Sequence, residues 1–338
     1  MNILIVGPSW VGDTVISQVL LRLLRERHHE AAIDYLAPPW TLPLLARMPE
    51  VRRGLLNPFG HGALRLGDRR RLGLSLREGH YDQAIVLPNS WKSALPPWFA
   101  GIPRRTGFRG EARWGLLNDI RHLDRAALPQ MAQRFAVLAL PAGEPLPAQL
   151  PLPGLHSDPA QQQALLERLG LDTRRPAVAF CPGAEYGPAK RWPETHYATL
   201  AREFAGRGWA VWLLGSGKDH EVAATIAAQA PGACTNLCGH TDIAQAADLL
   251  AAARLTVSND SGLMHVAAAV GRPLVALYGS SSPGFTPPLS PKARVISLAL
   301  ACSPCFQRHC PLGHLDCLNR LSPQQVIAGI DFATIAGG

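Results

Sequence analysis

Residues 7–14 of this 338-residue chain read Gly-Pro-Ser-Trp-Val-Gly-Asp-Thr, which is close to a phosphate-binding loop but carries the opposite charge. A Walker A loop has the pattern G-x-x-x-x-G-K-[ST], and its lysine reaches the nucleotide phosphates. Gly7, Gly12 and Thr14 fit this pattern, whereas Asp13 stands in the place of the lysine. A carboxylate would repel a triphosphate, but it can take a proton from a hydroxyl group. The segment therefore argues against an NTPase and predicts a general base at Asp13.

A second candidate site lies in residues 258–265, Ser-Asn-Asp-Ser-Gly-Leu-Met-His, where an apolar strand is followed by a helix. Small capping residues at such a turn leave backbone N–H groups facing outward at the positive end of the helix dipole, which suits an anion. Asp260 can accept hydrogen bonds from hydroxyls or amides, and His265 comes about one turn into the helix. The alternative is an ordinary capped helix whose histidine packs into the core.

Two further loops follow predicted strands in the same half of the chain. Residues 181–193 are rich in Gly and Pro, and Lys190 and Arg191 supply cations just before the next helix. Residues 215–220 form a turn that carries Asp219, although a simple strand-to-helix turn explains this segment equally well. A Lys-Arg pair alone usually faces solvent. Because α/β folds bind ligands at the carboxyl ends of parallel strands, we expect loops from neighbouring strands to converge into one binding site.

The elements that would position these loops alternate between apolar strands and amphipathic helices, a pattern typical of βαβ units with a parallel sheet. In the N-terminal half, the pattern predicts strands at residues 3–6, 32–36, 53–56 and 83–87 and a helix at 11–24. In the C-terminal half, it predicts strands at 177–181, 210–215, 255–258 and 274–278 and helices at 194–207, 243–253 and 264–270. Residues 140–159 are rich in proline and lack periodicity, which indicates a linker. Two α/β halves joined in this way would enclose a cleft, a common place for ligands.

The composition, 47% hydrophobic and 17% charged, is that of a globular protein long enough for about two domains. No apolar run approaches the ~18 residues of a membrane span, and the N-terminus lacks the features of a signal peptide, so we expect a cytoplasmic protein.

The net charge of +8 favours an anionic partner: a phosphorylated substrate, an anionic membrane surface or nucleic acid. No nucleic-acid-binding motif is present, so we expect no nucleic acid partner. Many basic residues cluster in the N-terminal half, at Arg52, Arg53, Arg69, Arg70, Arg71, Arg104, Arg105, Arg109 and Arg113, although each cluster could equally be solvated surface.

Six long segments resemble one protein family. They are GPSWVGDTVISQ, LPNSWKSALPPWFAGIPRRTGFRGE, RWGLLNDIRHLD, FCPGAEYGPAKRWP, GSGKDHE and SNDSGLMHVAAAVGRPLVALYGSSSP, and together they extend over about the first 295 residues. On these segments the chain resembles the bacterial ADP-heptose:lipopolysaccharide heptosyltransferases of glycosyltransferase family 9, most closely the heptosyltransferase II type of inner-core assembly. The resemblance implies a GT-B fold, an α/β architecture of two Rossmann-like domains facing an inter-domain cleft.

The resemblance also implies how the domains divide the work. An acceptor-binding domain is expected at residues 1–155 and an ADP-heptose-binding domain at 156–322, with a C-terminal helix or tail at 323–338 that packs back toward the first domain. The implied reaction is an inverting transfer of heptose from ADP-L-glycero-β-D-manno-heptose to the first heptose of heptosyl-Kdo2-lipid A. It takes place at the cytoplasmic face of the inner membrane, whose anionic surface the protein would contact peripherally. No cofactor is expected, and no divalent metal, since no Asp-x-Asp motif is present.

The resemblance assigns roles residue by residue. Asp13 corresponds to the family's catalytic aspartate and Lys190 to the lysine that holds the donor diphosphate and stabilises the departing ADP. The residues that match the donor-binding motif are Asp260, Ser261, Gly262 and His265, with Asp219 more loosely matched to an acidic residue near the nucleoside. Acceptor-binding residues are instead predicted from loop position, polarity and charge: Asn89, Ser90, Lys92, Arg69, Arg70 and Arg71.

Four of the seven cysteines form a C-x2-C-x4-C-x6-C pattern near the C-terminus: Cys302, Cys305, Cys310 and Cys317, with His309 and His314 between them. Spacing of this kind can close a tetrahedral zinc site. The resemblance does not require these cysteines, so the possibilities stay open. They are a structural metal, zinc in preference to an iron–sulfur cluster; reduced thiols in an ordered loop; or disulfides, which a reducing cytoplasm disfavours. The other cysteines, Cys181, Cys234 and Cys238, are interpreted as packing residues.

Other functions remain as alternatives at this point. A GT-B transferase of another sugar or core position cannot be separated by sequence, because a few pocket contacts decide sugar identity. A non-catalytic protein that binds a sugar nucleotide or the lipopolysaccharide core would need no base, so Asp13 together with Lys190 argues against it. A dehydrogenase is disfavoured because no G-x-G-x-x-G follows the first strand.

Overall fold

A computed structural model describes residues 1–60, 62–332 and 335. The chain divides into two compact units, Met1–Pro153 and Gly154–Gly338. The division falls in residues 141–158, a segment with neither helix nor strand, close to the predicted boundary at residue 155. Within the described ranges, no helix has the length and apolar character that crossing a bilayer would require.

The first unit is a parallel sheet with helical connections. Its strands are β1 (Asn2–Val6), β2 (Ala32–Ala37), β3 (Val51–Leu56), β4 (Gln83–Val86), β5 (Arg104–Phe108) and β6 (Asp119–Arg121). Its α-helices are α1 (Val11–Ile16), α2 (Gln18–Arg27), α3 (Leu42–Leu45), α4 (Leu66–Ser75), α5 (Leu95–Phe99) and α6 (Met131–Ala136), with 3-10 turns at Leu76–Gly79, Trp91–Ala94 and Val137–Ala139. The strand order is β3-β2-β1-β4-β5-β6, and all pairs are parallel. The order reverses between β1 and β4, so the loops that leave these two strands flank the switch point of the sheet, where α/β folds bind ligands.

The second unit repeats this design. Its strands are β7 (Ala177–Cys181), β8 (Ala210–Leu213), β9 (Thr235–Asn236), β10 (Leu255–Asn259), β11 (Leu274–Tyr278) and β12 (Ala293–Ser297). Its α-helices are α7 (Pro159–Arg168), α8 (Glu194–Gly206), α9 (His220–Gln229), α10 (Ile243–Ala252), α11 (Gly262–Ala269), α12 (Asp316–Asn319) and α13 (Pro323–Ala328), with 3-10 turns at Pro188–Lys190 and Gly217–Asp219. The parallel order β12-β11-β10-β7-β8-β9 places its switch point between β7 and β10.

Apolar runs in the sequence become the central strands of both sheets. Every residue of β7, β10 and β11 is buried, as parallel strands covered on both faces require. In β1, Ile3, Leu4 and Ile5 are fully buried. The prediction of two α/β halves with parallel sheets is therefore confirmed.

The helix predicted at residues 11–24 is divided at Ser17 into α1 and α2. The Ser17 hydroxyl donates to the Thr14 carbonyl at 2.7 Å and lies 2.8 Å from the Tyr35 hydroxyl. A serine side chain that hydrogen-bonds the preceding turn competes with the helical ladder, which explains the interruption. Hydrophobic periodicity does not reveal such a break.

The C-terminal helix α13 packs against α8 within the second unit. Its Ser322 cap and Gln325 form a reciprocal capping box that fixes where the helix begins. Of the predicted tail at 323–338, residues 333, 334 and 336–338 lie outside the described residues. Packing of this tail toward the first domain stays a prediction.

Two of the basic residues in the N-terminal half hold the first unit together. Arg52 and Arg53 of β3 donate to the buried carboxylate of Asp34, at 2.8 Å and 2.6 Å. The Tyr81 hydroxyl is a third donor to this carboxylate, at 2.6 Å. Burial opposes ionisation of Asp34, but these hydrogen bonds outweigh it and lower the pKa of Asp34 to about 2. The Arg52–Arg53 cluster therefore has a structural use and is not simply solvated surface.

Asp34→Asn should lower the free energy of unfolding at pH 7 by about 2 kcal/mol, the equivalent of the pKa shift. The folded-state pKa lies below the unfolded value of 3.8, so the stabilisation is fully present above about pH 4 and is lost as the pH falls through about 2. Urea unfolding at pH 7 and pH 3 measures this, and the difference between variant and wild type should shrink at pH 3. Asp68→Asn is the control, because Asp68 pairs with the exposed side chains of Arg65 and Arg71 and should contribute little. A pH-independent difference for Asp34→Asn would contradict the assignment.

Candidate functional site

In the first unit, Asp13 lies in the first turn of α1, directly after the loop that leaves β1, and is half-buried. Gly7 begins this loop beside the ring of Tyr35, where a Cβ atom would stand 2.1 Å from Tyr35 Cε1. Only glycine lets the loop turn at this place without moving the ring. The Asp13 charge is one of the causes that raise the pKa of the fully buried Tyr35, after burial itself. The carboxylate is thus held on a packed, rigid element at the carboxyl edge of the sheet.

The predicted acceptor residues Asn89, Ser90 and Lys92 lie in the loop that leaves β4 and the short turn after it. Because β4 pairs with β1, this loop and the one carrying Asp13 leave neighbouring strands at the same edge. Asn89 is exposed, and its backbone carbonyl accepts from the Glu111 backbone N–H at 3.0 Å. The Lys92 ammonium donates to the Gly62 carbonyl at 3.0 Å.

The three consecutive arginines of α4 have different surroundings. Arg69 is only 6% exposed, its guanidinium donates to the carbonyls of residues 63, 64 and 92, and it lies 4.1 Å from the Phe59 ring centre. Burial lowers its pKa. Arg70 and Arg71 are exposed. The structure thus gives Arg69 a place in the fold, and Arg70 and Arg71 are the two of the three that face solvent.

Exposed tryptophans on the first unit were missed by sequence reasoning. Trp10 and Trp40 are 40% and 47% exposed and lie in the loops after β1 and β2. The Trp40 indole donates to the Ser9 carbonyl at 2.8 Å, which ties the two loops together. The sequence feature that could have indicated them is a tryptophan in a polar loop directly after a predicted strand. Aromatic faces of this kind beside the Asp13 loop could pack against sugar rings.

In the second unit, the loops that leave β7 and β10 meet at the switch point. The Lys190 ammonium contacts the Asp260 carboxylate at 2.6 Å, with side chains 19% and 5% exposed. The Tyr186 ring lies 5.2 Å from the same ammonium. The convergence of these loops, expected from the sequence, is therefore present, and it places a cation at the start of α11.

Asn259 fixes this arrangement and was not singled out by the sequence. Its buried side-chain amide donates to the Pro182 carbonyl at 2.7 Å and accepts from the Trp192 backbone N–H and the Tyr197 hydroxyl, each at 3.1 Å. These bonds hold both ends of the loop at residues 182–193 that carries Lys190. The signal available was the position of Asn259, the last residue of a buried strand.

The first turn of α11 begins at Gly262, after Ser261 in extended conformation. The initial N–H groups of a helix have no intrahelical acceptor, so they are available to an anion. His265 is 5% exposed, and burial lowers its pKa to about 4, with Lys190 adding to this and Asp260 opposing it. His265 is therefore neutral near pH 7, so it cannot supply positive charge to a phosphate.

Asp219 closes the turn after β8. Its carboxylate accepts from the Ser216 N–H and hydroxyl at 2.9 and 2.8 Å, forming a capping box. The same carboxylate lies against Gly183, where a Cβ atom would stand 2.2 Å from Asp219 Oδ1. It therefore borders the Lys190 loop, and its cap explains the turn without a ligand.

All seven cysteines are free thiols in the structure. Cys302, Cys305, Cys310 and Cys317 line one small cavity, while Cys181 and Cys238 are buried within the second unit and Cys234 is half-buried. In the part of the chain that the structure describes, no group of three or more His, Cys, Asp or Glu side chains is arranged so that it could hold a metal ion.

Comparison with known proteins identifies close relatives. A model of glycosyltransferase family 9 (heptosyltransferase) matches residues 69–316. Lipopolysaccharide heptosyltransferase 2 of Escherichia coli K12 is 51% identical over 336 residues, which cover 97% of each chain. Lipooligosaccharide heptosyltransferase 2 of Haemophilus influenzae is 50% identical and covers 88% of this chain and 89% of its own.

A solved structure shows the same fold. The ADP-heptose lipopolysaccharide heptosyltransferase II of Escherichia coli matches with a TM-score of 0.88 and 49% identity over 97% of each chain. This match confirms the predicted fold class, an α/β protein of GT-B type with two Rossmann-like units. The family resemblance drawn from the six sequence segments is likewise confirmed.

Proposed function

Because the chain belongs to glycosyltransferase family 9, the heptosyltransferases, we propose that it moves L-glycero-D-manno-heptose from ADP-heptose to the first heptose of heptosyl-Kdo2-lipid A. This step belongs to the assembly of the lipopolysaccharide inner core. The observation that carries the proposal is the contact between Lys190 and Asp260 at the start of α11. It supplies a cation and helix N–H groups at one place, which suits the diphosphate of a sugar nucleotide.

On the donor side, Lys190 and the amides of Ser261 and Gly262 bind the diphosphate. Negative charge grows on the leaving ADP as the bond to heptose C1 breaks. Donors that are already in position stabilise this charge without reorganisation. Asp260 orients the Lys190 ammonium, neutral His265 lies behind it, and Asp219 borders the nucleoside side of the pocket.

On the acceptor side, Asp13 acts as the general base. It takes the proton from the attacking hydroxyl of the acceptor heptose, and the hydroxyl oxygen forms the new bond to C1. The electron pair of the broken bond leaves with the ADP β-phosphate oxygen. Attack on the face opposite the leaving group inverts the anomeric configuration. Asn89, Ser90 and Lys92 contact the acceptor beside this base.

The reaction in this proposal uses no metal ion, because Lys190 and the helix amides supply the positive potential that a divalent cation supplies elsewhere. The four C-terminal cysteines take no part in the chemistry.

Mass spectrometry of the product tests the proposed reaction. Purified protein is incubated with ADP-heptose and either Kdo2-lipid A or its monoheptosylated form. A mass increase of one heptose on the monoheptosylated acceptor alone is expected. An increase on the acceptor that lacks heptose, or the same yield with a different nucleotide sugar, would contradict the assigned substrates.

We further propose that the chain binds peripherally to an anionic membrane surface, at the cytoplasmic face of the inner membrane. The acceptor is anchored there by lipid A, and the chain carries a net charge of +8. Helices α4 and α5 pack together and carry exposed apolar side chains, Leu66 at 50% and Trp98 at 43%, near exposed Arg70 and Arg71. Apolar groups next to arginine form the combination that anionic lipid surfaces attract.

Replacing Arg70 and Arg71 together by glutamine should weaken binding to vesicles with anionic lipid about 30-fold, at about 1 kcal/mol per arginine. The KM for lipid acceptor should rise, and the KM for ADP-heptose should stay unchanged. Vesicle sedimentation and steady-state kinetics measure these effects. Kinetics with a delipidated acceptor show whether the two arginines contact the acceptor itself, because the KM for that acceptor does not depend on membrane binding. The matched control replaces Arg174 and Arg175, an exposed pair in the second unit. An equal loss of vesicle binding in both double variants would contradict a membrane-binding surface localised at Arg70 and Arg71.

A further inference from the structure

The four C-terminal cysteines surround a cavity of about 20 Å³. A space of this size holds one water-sized occupant, since about 10–15 Å³ is enough for a single water. It is far too small for an organic ligand. Side chains in proteins pack closely, and few spaces of this size are left between them. A space with four thiols in its wall therefore suggests an occupant that the thiols bind.

A buried hydroxyl without a partner lies in the same wall. Ser280 lines the cavity and is 2% exposed. Its Oγ atom has no hydrogen-bond partner among the described residues. A buried hydroxyl normally donates to something, so this atom indicates an acceptor that occupies or borders the cavity when the site is filled.

A tight turn brings the last two thiols to the same cavity. Pro311, Leu312, His314 and Leu315, which lie between Cys310 and Cys317, also line it. Gly313 makes this turn with a φ of +75°, which favours glycine, and its N–H donates to the Cys310 carbonyl at 3.2 Å. The turn therefore holds Cys310 and Cys317 beside one space.

We propose that Cys302, Cys305, Cys310 and Cys317 bind one Zn²⁺ ion in this cavity. Four thiolates satisfy the tetrahedral preference of zinc, and a single ion matches the space better than an iron–sulfur cluster. As they stand, no three or more His, Cys, Asp or Glu side chains of the described residues could hold a metal ion, so this proposal requires the four sulfurs to move toward one point when zinc binds. The Ser280 hydroxyl then donates to one of the bound sulfurs.

The site lies where it can stiffen the loop that carries Lys190. The Tyr186 hydroxyl donates to the Phe306 carbonyl at 2.8 Å, and the Ala189 N–H donates to the Arg308 carbonyl at 3.1 Å. Phe306 and Arg308 both lie between Cys305 and Cys310, so an ion held by those thiolates also fixes these carbonyls. Zinc therefore supports the donor loop from outside, a consequence that rests on the proposed donor role of Lys190.

Metal analysis of the full chain tests the site. Protein purified without chelator from zinc-supplemented cells should contain about one zinc ion per chain, as measured by inductively coupled plasma mass spectrometry. The cobalt-substituted protein should show the visible absorption of tetrahedral cobalt with thiolate ligands, a readout that needs no variant. Cys310→Ser and Cys317→Ser should lose most of the zinc, and Cys234→Ser, a half-buried thiol outside the cavity, should keep it.

Metal-free protein with reduced thiols, a disulfide among the four cysteines, or iron in place of zinc would each overturn the assignment. So would full zinc content in Cys310→Ser. Removing zinc with a chelator should weaken ADP binding several-fold in calorimetry, and unchanged ADP binding would contradict the support of the donor loop. Zinc content does not depend on the substrate, so failure of the metal site and failure of the proposed transfer are distinguishable.

Discussion

Asp13→Asn is expected to lower kcat by ~10² to 10⁴-fold, the usual contribution of a positioned general base. Asparagine has nearly the same shape, so the packing of α1 near Tyr35 should persist, but the amide cannot take the proton from the acceptor hydroxyl. ADP-heptose binding should be close to wild type, because the proposed donor residues all belong to the second unit. Steady-state kinetics together with calorimetry of ADP binding measure both effects.

Glu30→Gln is the control for this variant, since Glu30 is an exposed carboxylate in the turn before β2. It should leave kcat unchanged. If Asp13→Asn kept wild-type turnover, Asp13 would not be the base. Loss of turnover with equal loss of ADP binding would point to a folding defect instead. A protein that only binds a sugar nucleotide would show no transfer in either form, so the wild-type rate also excludes that alternative.

Lys190→Met should reduce kcat/KM on the order of 10²-fold and weaken ADP binding. The substitution removes the cation that stabilises the leaving diphosphate and leaves the buried carboxylate of Asp260 without its 2.6 Å partner. Truncating one member of a buried, hydrogen-bonded charge pair costs about 2–5 kcal/mol. Calorimetry of ADP binding and the kinetics of transfer measure the loss, and circular dichroism checks the fold.

Lys218→Met is the matched control. Lys218 makes an ion pair of the same length, 2.6 Å, with Glu185 in a neighbouring loop, but its side chain is 74% exposed and that of Glu185 53%. Exposed ion pairs contribute little, so this variant should behave like wild type. Equal effects of the two substitutions would show that charge near the site, and not the buried Lys190 contact, governs donor binding.

The parts of the fold that the sequence predicted well are those whose burial leaves a simple pattern. Strands β7 and β11 were predicted with the observed bounds, because continuous apolar runs mark central parallel strands. Strands β5 and β12 were not predicted. Their residues, Arg-Arg-Thr-Gly-Phe and Ala-Arg-Val-Ile-Ser, mix charge with apolar character, and pairing with a neighbouring strand decides their conformation.

The candidate site shows a similar division. The approach of Lys190 to Asp260 could be expected, because both loops leave strands that α/β topology brings to one edge. The hydrogen bonds of Asn259 could not, because the sequence marks this residue only as the end of a buried strand and does not show which atoms its side chain contacts. Arg69, Arg70 and Arg71 illustrate the same limit: they are identical in type and adjacent in sequence. The packing against Phe59 and the hydrogen bonds to backbone carbonyls, which separate the buried arginine from the exposed ones, are visible only in the structure.

The anomeric configuration of the product tests the central claim most directly. A base at Asp13 and a cationic diphosphate site at Lys190 together require a single displacement at heptose C1. With ADP-L-glycero-β-D-manno-heptose as donor, the one-bond carbon–proton coupling at C1, measured by NMR on the purified product, should report an α linkage. A β linkage would mean retention through two displacements, and it would contradict the role given to Asp13.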